Sequence, residues 1–240
     1  MSIFKTETFA CPKCGTSITY DIVASVNADR RPDLRAKIVD NSFQRSACEK
    51  CGHPFRLEPE MTYFDAGRKQ WILVLPANQV TDWPYLEQNA RSAFDRTYGE
   101  DAPEEAQAIG ENLSVRVAFG WPALREKLLA VDLGLDDVTL ELMKMAIFGG
   151  TEQTPLSDEI ELRLTGAEGN ELILEWLDGA VEFALEELRV PRALYQQVAE
   201  DPKSWESLRQ ELTAGPFVDF ARLLVPSGRE QEAEEETVPA

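Results

Sequence analysis

The spacing of apolar residues changes character along this chain. Near the N-terminus it has the two-residue period of strands: Ile18, Tyr20 and Ile22 alternate with polar neighbours over 17–23. Residues 4–9, 54–57, 61–64 and 70–75 are short runs of the same kind, the last stopped by Pro76. One short helix interrupts them. Pro32, whose fixed φ suits a first helical turn, opens it, and Leu34 and Ile38 share its face.

From Asp82 the period lengthens to three and four. Trp83, Leu86, Ala90, Phe94 and Tyr98 form one stripe, with Asp82 as candidate N-cap and Gly99 as the stop. Further helices are expected from Pro122, with Leu124, Leu128 and Val131 on one side, and from Asp136 to Gly149-Gly150. Residues 114–119 alternate as a strand before them. Residues 149–155 read as a linker, 160–164 and 172–177 as a hairpin around the turn at 166–170, and 181–185 as a third strand. Short helices are expected at 191–199, 204–212 and 217–224. Residues 229–240, with five Glu, read as a solvated, disordered acidic tail.

Chemistry enters with the cysteines. Cys11-Pro-Lys-Cys14-Gly15 and Cys48-Glu-Lys-Cys51-Gly52 are matched C-x2-C knuckles with 33 residues between them, and no other cysteine exists. Two thiolates spaced this way curl around one ion, each glycine supplies the positive φ of the turn, and two knuckles complete a tetrahedral shell. Cys11, Cys14, Cys48 and Cys51 are therefore the expected ligands of a structural Zn2+. Iron in a rubredoxin-like site uses the same tetrathiolate and stays open as the alternative occupant. A closed shell leaves no vacant position for substrate. A single redox C-x-x-C is disfavoured, because a second matched pair has no role there. His53, the only histidine, follows the second knuckle and reads as a knuckle residue or a partner to a sulfur.

The architecture that follows is α+β. An N-terminal zinc ribbon with added strands and a helix (1–78) and a helical middle (79–150) make up residues 1–150. A C-terminal α+β region with an antiparallel hairpin follows (151–228), then the tail (229–240). At 240 residues and 43% hydrophobic content the chain can bury substantial cores, and Trp121, Trp176, Trp205, Phe217 and Phe220 are expected to pack in them. No apolar run approaches a membrane span and the N-terminus lacks a signal-peptide core, so a reducing cytoplasm is the expected location, in agreement with reduced, metal-binding thiols.

The net charge of −19 is unevenly spread: 11 basic against 9 acidic residues over 1–78, and 13 against 34 thereafter. Neither part offers the basic surface that nucleic acid demands. Arg30, Arg31, Arg35 and Lys37 form the one local basic cluster, a solvated helix face or a dock for acid. Asp136 and Asp137 read as helix-capping residues rather than a cation site, and Glu186-Glu187 lacks a partner carboxylate for glycosidase-like work. No H-E-x-x-H, Walker, G-x-S-x-G or dinucleotide fingerprint occurs.

With the knuckles and flanks placed, the first ~80 residues resemble the CpXC family of bacterial proteins. The elements are Cys11-Pro12-Lys13-Cys14-Gly15, Val26-Asn27-Ala28 with Pro32-Asp33-Leu34, Cys48-x-x-Cys51-Gly52-His53, Tyr63-Phe64-Asp65 and the strand 71–76. A weaker likeness runs through Val117–Gly120 and Leu124–Lys127 to Gly134–Asp137. The second knuckle departs from the first in reading Cys48-Glu49. The resemblance implies a zinc-binding domain without an assigned reaction. The expected function is a protein-protein interaction or scaffolding module with a basic partner, in preference to an enzyme. An enzyme with a carboxylate-lined site between the two halves is the first alternative, and a nucleic-acid-associated ribbon the second.

Overall fold

The computed structural model describes residues 2–149, 160–178 and 182–225. In chain order, β1 (Ile3–Ala10) and β2 (Ser17–Asn27) form a long ribbon, α1 (Pro32–Val39) follows, and β3 (Arg45–Ala47) and β4 (Pro54–Arg56) make a small hairpin. Next come β5 (Met61–Asp65), β6 (Gln70–Leu75), a 3-10 turn (Ala77–Asp82), α2 (Trp83–Tyr98), α3 (Glu104–Gly110), β7 (Ser114–Phe119), α4 (Gly120–Asp132) and α5 (Asp137–Gly149). The C-terminal part holds β8 (Ile160–Glu168), β9 (Glu171–Asp178), β10 (Phe183–Pro191), α6 (Arg192–Glu200), α7 (Glu206–Leu212) and α8 (Ala221–Leu224). The fold is α+β, with the cysteine-bearing hairpins near the N-terminus and an antiparallel sheet near the C-terminus.

The larger sheet runs β1-β2-β5-β6-β7, with antiparallel pairs at β1-β2 and β5-β6 and parallel pairs at β2-β5 and β6-β7. Every residue of β6 is buried, because both faces of the sheet are covered. On one face Val23, Tyr63, Ile72 and Val74 meet Leu34 and Ile38 of α1 and Trp121, Leu124 and Leu128 of α4. On the other, Trp71, Leu73 and Phe119 meet Ala90 and Phe94 of α2 and Phe217. The smaller sheet, β10-β9-β8, shares a third core with α5, α6 and α7, in which Leu140, Leu164, Leu174 and Trp176 are buried and Trp205 packs at the margin. Each buried Leu or Ile contributes about 1.5–3 kcal/mol of transfer free energy.

Several elements differ from the periodic reading. α3 was not expected, since Ile109 is its single large apolar residue. Glu104 and Glu105 in its first turn favour the positive end of the helix dipole instead. β10 continues to Pro191, because Leu188 and Val190 pair with Leu174 and Leu172. The helix expected at 217–224 shrinks to α8, because Pro216 is drawn to the sheet, where its carbonyl accepts from the Val117 N–H at 2.9 Å. Asp82 stands at the N-cap of α2 without a side-chain capping bond, the 3-10 turn setting the entry. Gly99 does end α2, in extended backbone, and a Cβ there would lie 2.5 Å from the Asp95 carbonyl oxygen. Val181, most of the proposed linker and the acidic tail lie outside the described residues. No helix among the described residues is long and apolar enough to cross a membrane.

Candidate metal centre

The β1-β2 ribbon turns at Cys11–Gly15 and the β3-β4 hairpin turns at Cys48–Gly52, and the two turns close alike. Gly15 N–H donates to the Cys11 carbonyl at 2.9 Å, and Gly52 N–H to the Cys48 carbonyl at 2.8 Å. Both glycines take φ +67, the left-handed region that a Cβ disfavours. Cys11 N–H donates to the Thr16 carbonyl and Cys48 N–H to the His53 carbonyl, which brings each strand back antiparallel. Phe55 of β4 then packs edge-on against Phe9 at 5.3 Å and Tyr20 at 5.9 Å, holding one knuckle-bearing hairpin against the other.

The result is four sulfurs in one place. Cys11 Sγ lies 3.7 Å from Cys51 Sγ, Cys14 Sγ 3.7 Å from Cys48 Sγ, and all four fall within 4.8 Å of one another. A disulfide needs ~2.05 Å, so neither contact is one. A tetrahedral ion with metal–sulfur bonds of ~2.3 Å needs sulfur–sulfur edges of about 3.8 Å, which is what the two cross-knuckle contacts provide. The four cysteines predicted as ligands are thus brought together in a group able to hold a metal ion.

Their electrostatics agree. Thr16, through its hydroxyl and its backbone N–H, lowers Cys14 to about 6. The His53 backbone N–H pulls Cys51 the same way, but burial and the sulfurs of Cys14, Cys48 and Cys11 push it up to about 11. Four thiols this close do not all ionise unless a cation shares their charge. His53 serves the knuckle through its main chain, its carbonyl holding Cys48 and its N–H facing Cys51. The group able to hold an ion consists of four sulfurs, with Cys11 and Cys48 buried and Cys14 and Cys51 half-buried.

The other candidates resolve differently. Arg31 pairs with Asp33, whereas Arg35 turns inward to Asp132 at 2.8 Å and Asp65 at 3.6 Å, so part of the basic cluster is docked on acid from α4 and β5. Asp136 caps α5, accepting from the Thr139 N–H at 2.8 Å and hydroxyl at 2.7 Å. Asp137 instead pairs with Arg116 at 2.7 Å and Lys127 at 3.2 Å. Glu186 and Glu187 lie exposed on β10.

Periodicity missed a second group of charges, between α4, α5 and β8. The carboxylates of Glu126, Glu141 and Asp219 lie within 4.8 Å of one another, all buried. Lys144 Nζ sits 2.8 Å from both Glu126 and Glu141, and Arg163 Nη1 lies 3.1 Å from Glu126 and 2.5 Å from Asp219. Burial works against ionised Asp219, but Arg163, Lys144 and Lys127 hold it at about 2. Burial raises Glu141 to about 7 against the pull of Lys144. An ammonium lies among the three carboxylates, in the place a metal would take. A cavity of about 220 Å³ adjoins the cluster, walled by Phe119, Phe217, Phe220 and Leu224 with Glu161 and Arg163 on one side.

Sequence reasoning also missed Glu182. With φ +51 and a side chain only 10% exposed, it is clasped by Arg45 at 2.6 Å and by Arg56, whose guanidinium stacks 4.8 Å over Trp121. This ties the C-terminal sheet to the β3-β4 hairpin.

Compared with known protein families, residues 9–144 match the family described as CpXC protein, which is more than half of the chain and includes all four cysteines. No curated protein and no solved structure matches.

Proposed function

The chain belongs to the CpXC family, and on that premise we propose that it is a zinc-stapled interaction module. Cys11, Cys14, Cys48 and Cys51 hold one structural Zn2+, and the acidic C-terminal half receives a basic protein partner in the cytoplasm. The observation that carries the metal reading is the pair of 3.7 Å sulfur contacts across the two knuckles. Four cysteine ligands close the shell, so the ion would supply folding free energy, of order 10 kcal/mol, rather than Lewis acidity.

The interaction reading draws support from what the other readings lack. The buried carboxylates Glu126, Glu141 and Asp219 each lie against a lysine or arginine, which weighs against an acid–base pair there. The N-terminal ribbon carries near-balanced charge, against the phosphate contacts of a nucleic-acid reader. The exposed acids of the β8–β10 sheet, among them Glu186 and the Arg189-paired Glu168 and Glu187, outnumber the basic residues beside them and suit a basic partner. Pull-down from the native host tests this in two salt conditions, with Glu168, Glu186 and Glu187 changed to Gln in parallel. Partners lost at high salt and in the Gln variant support the reading. Partners retained undiminished in both contradict it.

A further inference from the structure

Among the described residues, two sheet edges are met by hydrogen bonds from outside the sheet and a third is open. At β7 the Pro216 carbonyl takes the Val117 N–H, and at β8 the Glu126 carboxylate takes the Leu164 N–H while Lys144 donates to the Leu162 carbonyl. β10 is an edge too, yet it carries Glu186 and Glu187 in succession and a register break beside them, both of which oppose pairing with another strand. β1 is less guarded: its two charges, Lys5 and Glu7, are of opposite sign and alternate with Thr6, and its register break lies at its start. It is eight residues long and terminal in its sheet, and all but Phe9 are exposed, Ile3 at 51% and Phe4 at 37%. Its register break falls at Ile3/Phe4, so Phe4–Ala10 is regular, and among the described residues no strand pairs with its outer edge.

Its sequence selects a partner. In Ile3-Phe4-Lys5-Thr6-Glu7-Thr8-Phe9, an antiparallel second copy centred on Thr6 sets Lys5 opposite Glu7, Glu7 opposite Lys5, and Ile3 opposite Phe9. Strand alternation puts all of these on one face, and directly opposed charges of opposite sign attract across a strand pair. The two neighbouring registers that keep the hydrogen-bonding parity are penalised: one sets Lys5 on Lys5, the other Glu7 on Glu7. We propose that β1 pairs antiparallel with β1 of a second copy of this chain about a two-fold axis at Thr6, joining the two five-stranded sheets. The contact is isologous, so it closes at a dimer. It does not depend on the metal reading.

Sedimentation velocity of the full-length chain over a concentration series tests the proposal, with Lys5→Glu and the exchanged Lys5→Glu/Glu7→Lys variant beside it. The wild type should show a reversible monomer–dimer equilibrium. Lys5→Glu places like charges opposite each other twice and should weaken the dimer about tenfold or more. The exchanged variant restores both pairs and should regain wild-type association, which separates pairing from any general effect of the Lys5 change. A chain that stays monomeric throughout overturns the proposal, as does a dimer indifferent to Lys5→Glu or one that the exchange does not restore.

Discussion

The Glu126 carboxylate accepts the backbone N–H of Leu164 at 2.6 Å, deep between α4 and the edge strand β8. Lys144 completes the arrangement from α5 by donating to the Leu162 carbonyl at 3.2 Å while resting 2.8 Å from Glu126. A buried strand edge must satisfy its main-chain groups somewhere, and here two side chains of opposite charge supply the acceptor and the donor that another strand would have offered. The charges are therefore part of how the second sheet docks on the helices.

Removing the cation should be costly. Lys144→Met leaves Glu126 and Glu141 buried with one partner fewer and strands the Leu162 carbonyl, so a loss of about 3–5 kcal/mol is expected in urea unfolding. A loss below about 1 kcal/mol, the range of an exposed pair, would mean that the cluster is solvated.

Glu141 gives the cluster a pH signature. An unfolded Glu titrates near ~4.3, while burial holds Glu141 at about 7 in the fold. Its folded form thus binds the extra proton, so its contribution is fully present below ~4.3 and is lost as pH rises through about 7. Asp219, held at about 2, acts oppositely and matters only in strong acid. The stability of the wild type relative to Glu141→Gln should therefore fall between about pH 5 and pH 8, by no more than ~1.4 kcal/mol per pH unit. A difference that is flat or grows with pH over that range contradicts the assignment.

The Glu182 clasp should couple the two ends of the chain. Glu182→Ala leaves Arg56, 7% exposed, without its carboxylate, and in a double-mutant cycle with Arg56→Ala a coupling of about 0.5–3 kcal/mol is expected. Additive losses would show that the contact contributes nothing to docking.

Legibility followed the range of the interactions. The strands of the ribbon, the stripe from Trp83 to Tyr98, the hairpin at 166–170 and the cysteine knuckles were readable because a turn or a period of a few residues encodes each. The parallel pairings β2-β5 and β6-β7 carry no such local signal. α4 and α5 were found from Leu124, Leu128 and the stop at Gly149, but Glu126, Lys127, Glu141 and Lys144 carry the marks of a solvated face. Their burial comes from a second sheet closing over the helices, which periodicity within one helix does not register. Glu182 is a further case, since its burial depends on Arg45 and Arg56 from more than a hundred residues away.

The four-sulfur centre remains the claim on which the functional reading rests, and cobalt(II) titration of the reduced, metal-free protein addresses it most directly. The account predicts saturation at one ion per chain, with the intense visible bands of tetrahedral cobalt and sulfur-to-metal charge transfer, displaced by one equivalent of zinc and absent after Cys48→Ser. Weak octahedral bands, a stoichiometry other than one, or an unchanged spectrum in Cys48→Ser would contradict it.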